Sequence, residues 1–63
     1  MNIKASRLAL GLTLQQVADR AGILLRQYQK IEAGETHPKR MTLKNAAALA
    51  RALEIPIEKL LED

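Results

Sequence analysis

Residues 14–31 read LQQVADRAGILLRQYQKI, and this stretch decides the fold. Apolar residues recur at helical spacing on either side of Gly22, which predicts one helix over about Leu14–Arg20 and another over about Leu24–Ala33. Gly22 accepts the left-handed conformation that a tight turn between two helices requires. A small residue is also needed where the two backbones touch, and Ala18 supplies it. The spacing is that of a helix-turn-helix.

Three further helices are predicted around this pair, and the sequence shows no strand pattern and no internal repeat. The first covers about residues 2–10, with Leu8 expected to face inward. The fourth covers about residues 43–53, and a short fifth helix has Pro56 in its first turn. Thr13, just before the second helix, has the spacing of a capping box with the glutamine three residues later. The chain is therefore expected to form a single all-α domain.

The charge of the chain is unevenly distributed. Residues 1–51 hold nine Lys and Arg against three acidic residues, a net charge of +6, whereas residues 52–63 hold one Lys against four acidic residues, a net charge of −3. A basic body with an acidic end suits a polyanionic partner approached from one side. Ordinary surface charge on a soluble bundle explains the same numbers, so charge alone leaves both interpretations open.

The composition argues against several classes of protein. Cysteine is absent, so neither disulfides nor thiolate metal sites are available. No apolar run approaches the roughly 20 residues that span a bilayer, and the first residues lack the features of a signal peptide, so a cytoplasmic protein is expected. The only aromatic residue is Tyr28, which disfavours stacking on bases. There is no phosphate-binding glycine loop, and His37 has no partner ligands; we therefore expect no catalytic residue, metal or cofactor.

Three runs in this order, GLTLQQVADRAGI, YQKIEAGETHP and TLKNAAALARALEIPIEKLLED, resemble the lambda-repressor/Cro-like (XRE-type) helix-turn-helix family. The resemblance extends from about Arg7 to Leu61. It implies that residues 1–63 form a compact five-helix bundle with the helix-turn-helix over about residues 14–33. It also implies a sequence-specific DNA-binding transcriptional regulator, in the first place a repressor of bacterial or phage type that is associated with the nucleoid.

The resemblance makes the third helix the recognition helix in the major groove. Arg26 and Lys30 lie four residues apart on one face and are expected to donate to guanine. Gln29 is expected to pair with adenine, and Leu25 to contact a thymine methyl group. The family usually caps this helix with Ser or Thr, whereas this chain has Leu24, at a cost of about 1 kcal/mol. Leu24 is instead expected to fold inward.

Contacts to the DNA backbone are expected from the start of the second helix, the rim of the third helix and the loop that follows it. Their side chains belong to Gln15, Gln16, Gln27, Lys39 and Arg40. Many family members carry Gln where this chain has Leu14, which removes one expected phosphate contact; Gln15 is the substitute. A solvated surface is the alternative role for all these polar residues.

A homodimer on a pseudo-palindromic operator is expected, because a single module of this size buries little surface on DNA. The dimer contact is predicted in the last helix and the segment before it. Its residues are Leu53, Ile55, Pro56, Ile57 and Leu61. Plain core packing explains these apolar residues equally well.

Two other functions remain open from the sequence. One is the DNA-binding antitoxin of a toxin–antitoxin pair, which shares the fold and the DNA chemistry. The other is a helix-turn-helix fold used as a protein-interaction module, with Leu24 and Leu25 as anchors. Alanine at Arg26 and Lys30 together separates the DNA-binding functions from the last one.

Overall fold

The computed structural model describes residues 2–62, and within them the chain is entirely helical with no strand. The helices are α1 (Ile3–Ala9), α2 (Leu14–Ala21), α3 (Leu25–Glu32), α4 (Leu43–Ala52) and α5 (Ile57–Leu61), with a single 3-10 turn (Pro38–Arg40) between α3 and α4. The predicted bounds of the first four helices agree with these to within one residue. The described part of the chain measures 24 × 20 × 20 Å. The all-α prediction is confirmed.

Side chains cap three of the helices. At α2, the Gln16 amide N–H donates to Thr13 Oγ1 at 3.1 Å and the Thr13 amide N–H donates to Gln16 Oε1 at 2.8 Å, which confirms the predicted capping box. Asn2 Oδ1 accepts the Ala5 amide N–H at 3.0 Å before α1. Thr42 caps α4 in the same way. Polar side chains therefore satisfy amide groups that these helix starts would otherwise leave open.

The turn between α2 and α3 has the predicted conformation. Gly22 ends α2 at φ 70° and ψ 30°, in the left-handed region, and its amide N–H donates to the Asp19 carbonyl at 3.2 Å. The next amide, of Ile23, donates to the Ala18 carbonyl at 3.0 Å. Ala18 is fully buried, as expected of the small residue between the two helices. The sequence therefore places α3 across α2 through two residues, Ala18 and Gly22.

The core lies between α2, α3, α4 and α5, and α2 packs against both α3 and α4. Its largest fully buried side chains belong to Tyr28, Leu49, Leu53, Leu60 and Val17. These side chains come from four different helices, so no helix of the core can be removed without exposing the others. The small residues of α4 allow α2 to approach it closely.

Two inward expectations are wrong. Leu8 is 57% exposed, because the buried side of the short helix α1 is formed by Ile3 and Arg7. Leu24 is 75% exposed, because it precedes α3 in an extended conformation (φ −70°, ψ 143°), where helical spacing does not align it with Tyr28. It provides no side-chain cap, as its identity predicted. Pro56 likewise precedes α5 as its cap residue and does not lie in the first turn.

Candidate nucleic-acid interface

The helix α3 divides into a buried face and a face of free polar groups. Tyr28 is fully buried and Ile31 is 4% exposed, so these two residues hold the helix against the core. Arg26, Gln29 and Lys30 are exposed, and their side chains form no hydrogen bond or ion pair within the described part of the chain. Guanidinium, amide and ammonium donors thus point out of one rigid helix. Donors of these three types recognise base edges in the major groove of DNA.

The two leucines at the N-terminal end of α3 both differ from expectation. Leu25 is half-buried and packs against the core, so only part of its side chain is available to a partner. Leu24, expected inside, is the exposed apolar residue at this end of α3. Gln27, expected at the rim of the interface, is half-buried. The largest apolar surface at the start of α3 therefore belongs to Leu24.

The two glutamines at the start of α2 differ in whether the side-chain amino group is free to donate a hydrogen bond. The side-chain oxygen of Gln16 is used in the capping box, which leaves its Nε2 amino group as a donor. The Nε2 group of Gln15 donates to Asp19 Oδ1 at 2.8 Å, so it must break this bond before it can donate to a phosphate. The spacing of four residues between Gln15 and Asp19 was the available signal for that bond. Gln16 is therefore the better placed of the two for a phosphate contact.

The 3-10 turn carries the two basic residues expected to contact phosphates. Lys39 and Arg40 are exposed, whereas Pro38, at the start of the turn, is buried. His37 Nδ1 accepts the Lys39 amide N–H at 3.0 Å, which caps the turn from its N-terminal side. The segment was predicted as a plain loop. Its ordered turn fixes two adjacent cations at one edge of the domain.

A buried ion pair that the sequence did not reveal fixes α3 to α1. Arg7 Nη2 lies 2.8 Å from Glu32 Oε1, and Arg7 Nε donates to Glu32 Oε2 at 2.9 Å; both side chains are only 10% exposed. Arg7 Nη1 also donates to the Leu12 carbonyl at 2.9 Å. The hydrogen bonds from Arg7 hold the pKa of the Glu32 carboxyl below its usual range, against the opposing effect of burial. The sequence does contain a signal that these two side chains face inward. Arg7 lies four positions after the inward residue Ile3, and Glu32 lies four positions after the inward residue Tyr28.

The Tyr28 side chain lies beside this ion pair. Its hydroxyl is buried and has no hydrogen-bond partner among the described residues. Burial raises the pKa of the phenol, and the nearby Glu32 carboxylate raises it further. The phenol therefore stays neutral at ordinary pH, and its ring serves to pack α3 onto the core. This agrees with the expectation that Tyr28 does not stack on bases.

The residues expected at a dimer contact separate into two groups. Leu53 is 2% exposed, which corrects the expectation for this residue, because a side chain enclosed by its own core has no surface to offer a second chain. Ile55 and Ile57 are half-buried and pack against the core. Pro56 is exposed and Leu61 is 39% exposed, so these two residues retain free apolar surface.

The described residues contain no group of three or more His, Cys, Asp and Glu side chains that could hold a metal ion. None of the helices in residues 2–62 has the length and apolar character needed to cross a membrane.

The comparisons with known proteins agree with this geometry. The helix-turn-helix family model matches residues 3–60, nearly the whole chain. The chain belongs to this family. It is 44% identical over 54 residues to the cryptic phage CTXphi transcriptional repressor RstR of Vibrio cholerae serotype O1. The aligned part covers 86% of this chain and 46% of that relative, so the chain spans about half the length of the curated relative. No solved structure matches the chain.

The predicted family and the predicted five-helix architecture are therefore confirmed, the first by the match to the family model and the second by the helices of residues 2–62. The predicted helix-turn-helix over about residues 14–33 corresponds to α2, the turn at Gly22 and α3.

Proposed function

We propose that this domain is a sequence-specific DNA-binding transcriptional repressor that inserts α3 into the major groove. The observation that carries the proposal is the outer face of α3, where Arg26, Gln29 and Lys30 are exposed and free of internal partners. Membership of the helix-turn-helix family and the likeness to a phage transcriptional repressor support the same function. Acting on DNA, such a protein works in the bacterial cytoplasm.

Each part of the interface has a distinct role in this proposal. Arg26 and Lys30 donate to guanine, and Gln29 pairs with adenine. Leu24 makes most of the apolar contact to a thymine methyl group, which was expected from Leu25, because Leu24 is exposed and Leu25 is half-buried. Phosphate contacts fix the register of α3 in the groove without reading the sequence. They come from Gln16, Lys39 and Arg40, with smaller contributions from Gln15 and Gln27.

The proposed repressor binds its operator as a homodimer. A single module buries roughly 600–1,000 Å² on DNA, which gives limited affinity, and two copies on adjacent half-sites double the contact. The surface of the partner contact comprises the segment before α5 and the exposed side of that helix. Its residues are Ile55, Pro56, Ile57 and Leu61. Sedimentation of the protein with a duplex of two half-sites, against a duplex of one, measures the stoichiometry.

The test of the function is the double substitution of Arg26 and Lys30 by alanine. Binding to fluorescein-labelled duplexes is followed by anisotropy, first with random-sequence DNA over a salt series and then with duplexes selected from a random pool. Each lost bidentate contact costs roughly 1–3 kcal/mol, so the two losses together should lower the affinity for the selected duplex by about 30-fold or more for each bound subunit. Arg20 and Arg51, which are exposed in the last turns of α2 and α4, provide a charge-matched double alanine control.

The outcome distinguishes the functions considered from the sequence. Unchanged affinity in a folded Arg26/Lys30 variant would show that α3 does not read DNA. A protein-interaction module would then remain, although its expected pair of anchors is divided between an exposed Leu24 and a half-buried Leu25. An antitoxin shares the DNA chemistry of a repressor, so it is separated by a neighbouring gene for a small toxin and by a complex with the toxin.

A further inference from the structure

A surface hollow lies beside the outer face of α3. It has a volume of about 250 Å³, and α1, the first residue of α2 and α3 contribute to it. The residues that line it are Lys4, Leu14, Gln29, Glu32 and Ala33. One of them, Gln29, belongs to the face proposed to read bases. The hollow is therefore continuous with the proposed DNA interface, although α1 was given no part in that interface.

Of the charged side chains at the hollow, Lys4 is the one without a hydrogen bond or ion pair within residues 2–62. Both carboxylate oxygens of Glu32 are bonded to Arg7, at 2.8 and 2.9 Å, so the charge of Glu32 is balanced within the protein. Lys4 is exposed and has no hydrogen bond or ion pair within the described residues. Its ammonium group is near enough to help lower the pKa of Glu32, although this is the smallest of the contributions. With Arg7 and Glu32 neutralising each other, Lys4 gives the hollow a net positive charge.

The start of α2 next to the hollow is poor in free donors. Leu14 offers only an apolar surface, and the side-chain amide of Gln15 is occupied by Asp19. Leu14 is half-buried, and with Ala33 it forms an apolar part of the hollow. An apolar surface beside one free ammonium group and one amide suits a sugar-phosphate unit, whose sugar carbons pack while its phosphate oxygens accept hydrogen bonds.

We infer that this hollow binds a backbone phosphate of the DNA, with the Lys4 ammonium as the main donor and the Gln29 amide beside it. The inference rests on the proposed function, and it adds α1 to a DNA interface otherwise made by α2, α3 and the 3-10 turn. Lys4 positions the domain on the duplex and does not read its sequence. The neutralised phosphate releases condensed counterions, which makes the contact measurable through salt.

The experiment compares Lys4→Ala and Lys4→Gln with the parent protein, on a random-sequence duplex and on a selected duplex, by anisotropy over a salt series. Loss of one phosphate contact lowers the slope of log affinity against log salt by about 0.9 for each bound subunit, and so by about 1.8 for a homodimer. For the same number of bound subunits, the affinity should fall by the same factor on both duplexes, because a phosphate contact carries no sequence information. Lys4→Gln keeps the first two methylene groups of the lysine stem, so it retains packing that alanine removes; thermal unfolding monitors folding of both variants.

Arg51→Ala is the matched control, because Arg51 is an exposed cation in the last turn of α4 and belongs neither to the proposed DNA interface nor to the proposed partner contact. For this control variant, the slope of log affinity against log salt should equal that of the parent protein. A parent-like slope in both Lys4 variants would overturn the inference and leave the proposed function intact. A loss restricted to the selected duplex would also overturn it, since Lys4 would then read a base. If the parent itself shows no salt-dependent binding, the proposed function fails and the inference fails with it.

Discussion

Replacement of Glu32 by glutamine tests the buried ion pair that joins α1 to α3. The change is nearly isosteric, but it removes the charge that balances Arg7, whose side chain is 10% exposed. Breaking a buried pair by neutralising one partner costs about 3–5 kcal/mol, because the other charge stays buried without compensation. Folded domains have about 0.05–0.15 kcal/mol of stability per residue, so this loss is comparable with the whole stability of a 63-residue chain.

The assay is urea unfolding followed by far-UV circular dichroism, at neutral pH and low temperature. Replacement of both partners, Arg7→Met with Glu32→Leu, controls for the loss of the charges themselves. Apolar residues of similar volume often replace a buried ion pair at little cost. Here the double variant should recover most of the loss but not all of it, because the Leu12 carbonyl loses its donor. A loss below about 1 kcal/mol for Glu32→Gln would refute the reasoning.

The effect of Glu32→Gln on the free energy of unfolding should depend on pH. The pKa of Glu32 is lower in the folded protein than its unfolded value of about 4.3, so the unfolded chain binds this proton more readily as pH falls. The stabilisation by Glu32 is therefore fully present above about pH 5 and is lost as pH falls through the folded pKa. The difference in unfolding free energy between the parent and Glu32→Gln should be constant near neutrality and shrink at acid pH. A difference that grew on acidification would contradict the sign of this shift.

Two backbone predictions concern residues with left-handed conformations. Gly22→Ala should lower the free energy of unfolding by about 0.5–1 kcal/mol, because backbone strain at φ 70° is partly offset by the smaller flexibility of alanine in the unfolded chain; an added Cβ meets no atom. Glu54, just after α4, is a non-glycine residue at φ 57°, so Glu54→Gly should stabilise the domain by about 0.5–1 kcal/mol after the flexibility of glycine in the unfolded chain is counted. Urea midpoints measure both changes. A stabilising Gly22→Ala or a destabilising Glu54→Gly would show that the left-handed region is not the source of strain.

Local rules were sufficient to predict the elements of the fold. Helical periodicity and the capping box at Thr13 predicted the start of α2, and Gly22 predicted the turn, because each of these depends only on residues within one turn of helix. The separation of α3 into an apolar and a polar face also followed from spacing. These local features determine which residues of α3 point away from the core.

The remaining features depend on contacts between distant residues. Arg7 and Glu32 are 25 positions apart in the sequence. A charged residue at an inward position of a helix breaks the apolar pattern, and the sequence does not show which distant residue pairs with it. Leu24 is exposed because α3 begins one residue later than predicted, which leaves Leu24 outside the helix in an extended conformation. Leu25 is half-buried because it lies three positions before the buried Tyr28, on the same side of a helix with 3.6 residues per turn. Small errors at a helix end thus alter a predicted site far more than a predicted fold.

The internal hydrogen bonds of this domain separate polar groups that build the fold from those available to a partner. Arg7 and Glu32 satisfy each other, and Gln15 is bonded to Asp19, so a ligand must break an existing bond to use any of them. Arg26 and Lys4 have no such bond in residues 2–62, and a phosphate or base gains their full interaction. Because the Arg7–Glu32 pair joins α1 to α3, we expect the free donors of these two helices to stand on a rigid frame. Donors held at fixed positions match DNA groups of one particular spacing, which favours a specific contact. Binding then costs little conformational entropy, because few groups have to become ordered.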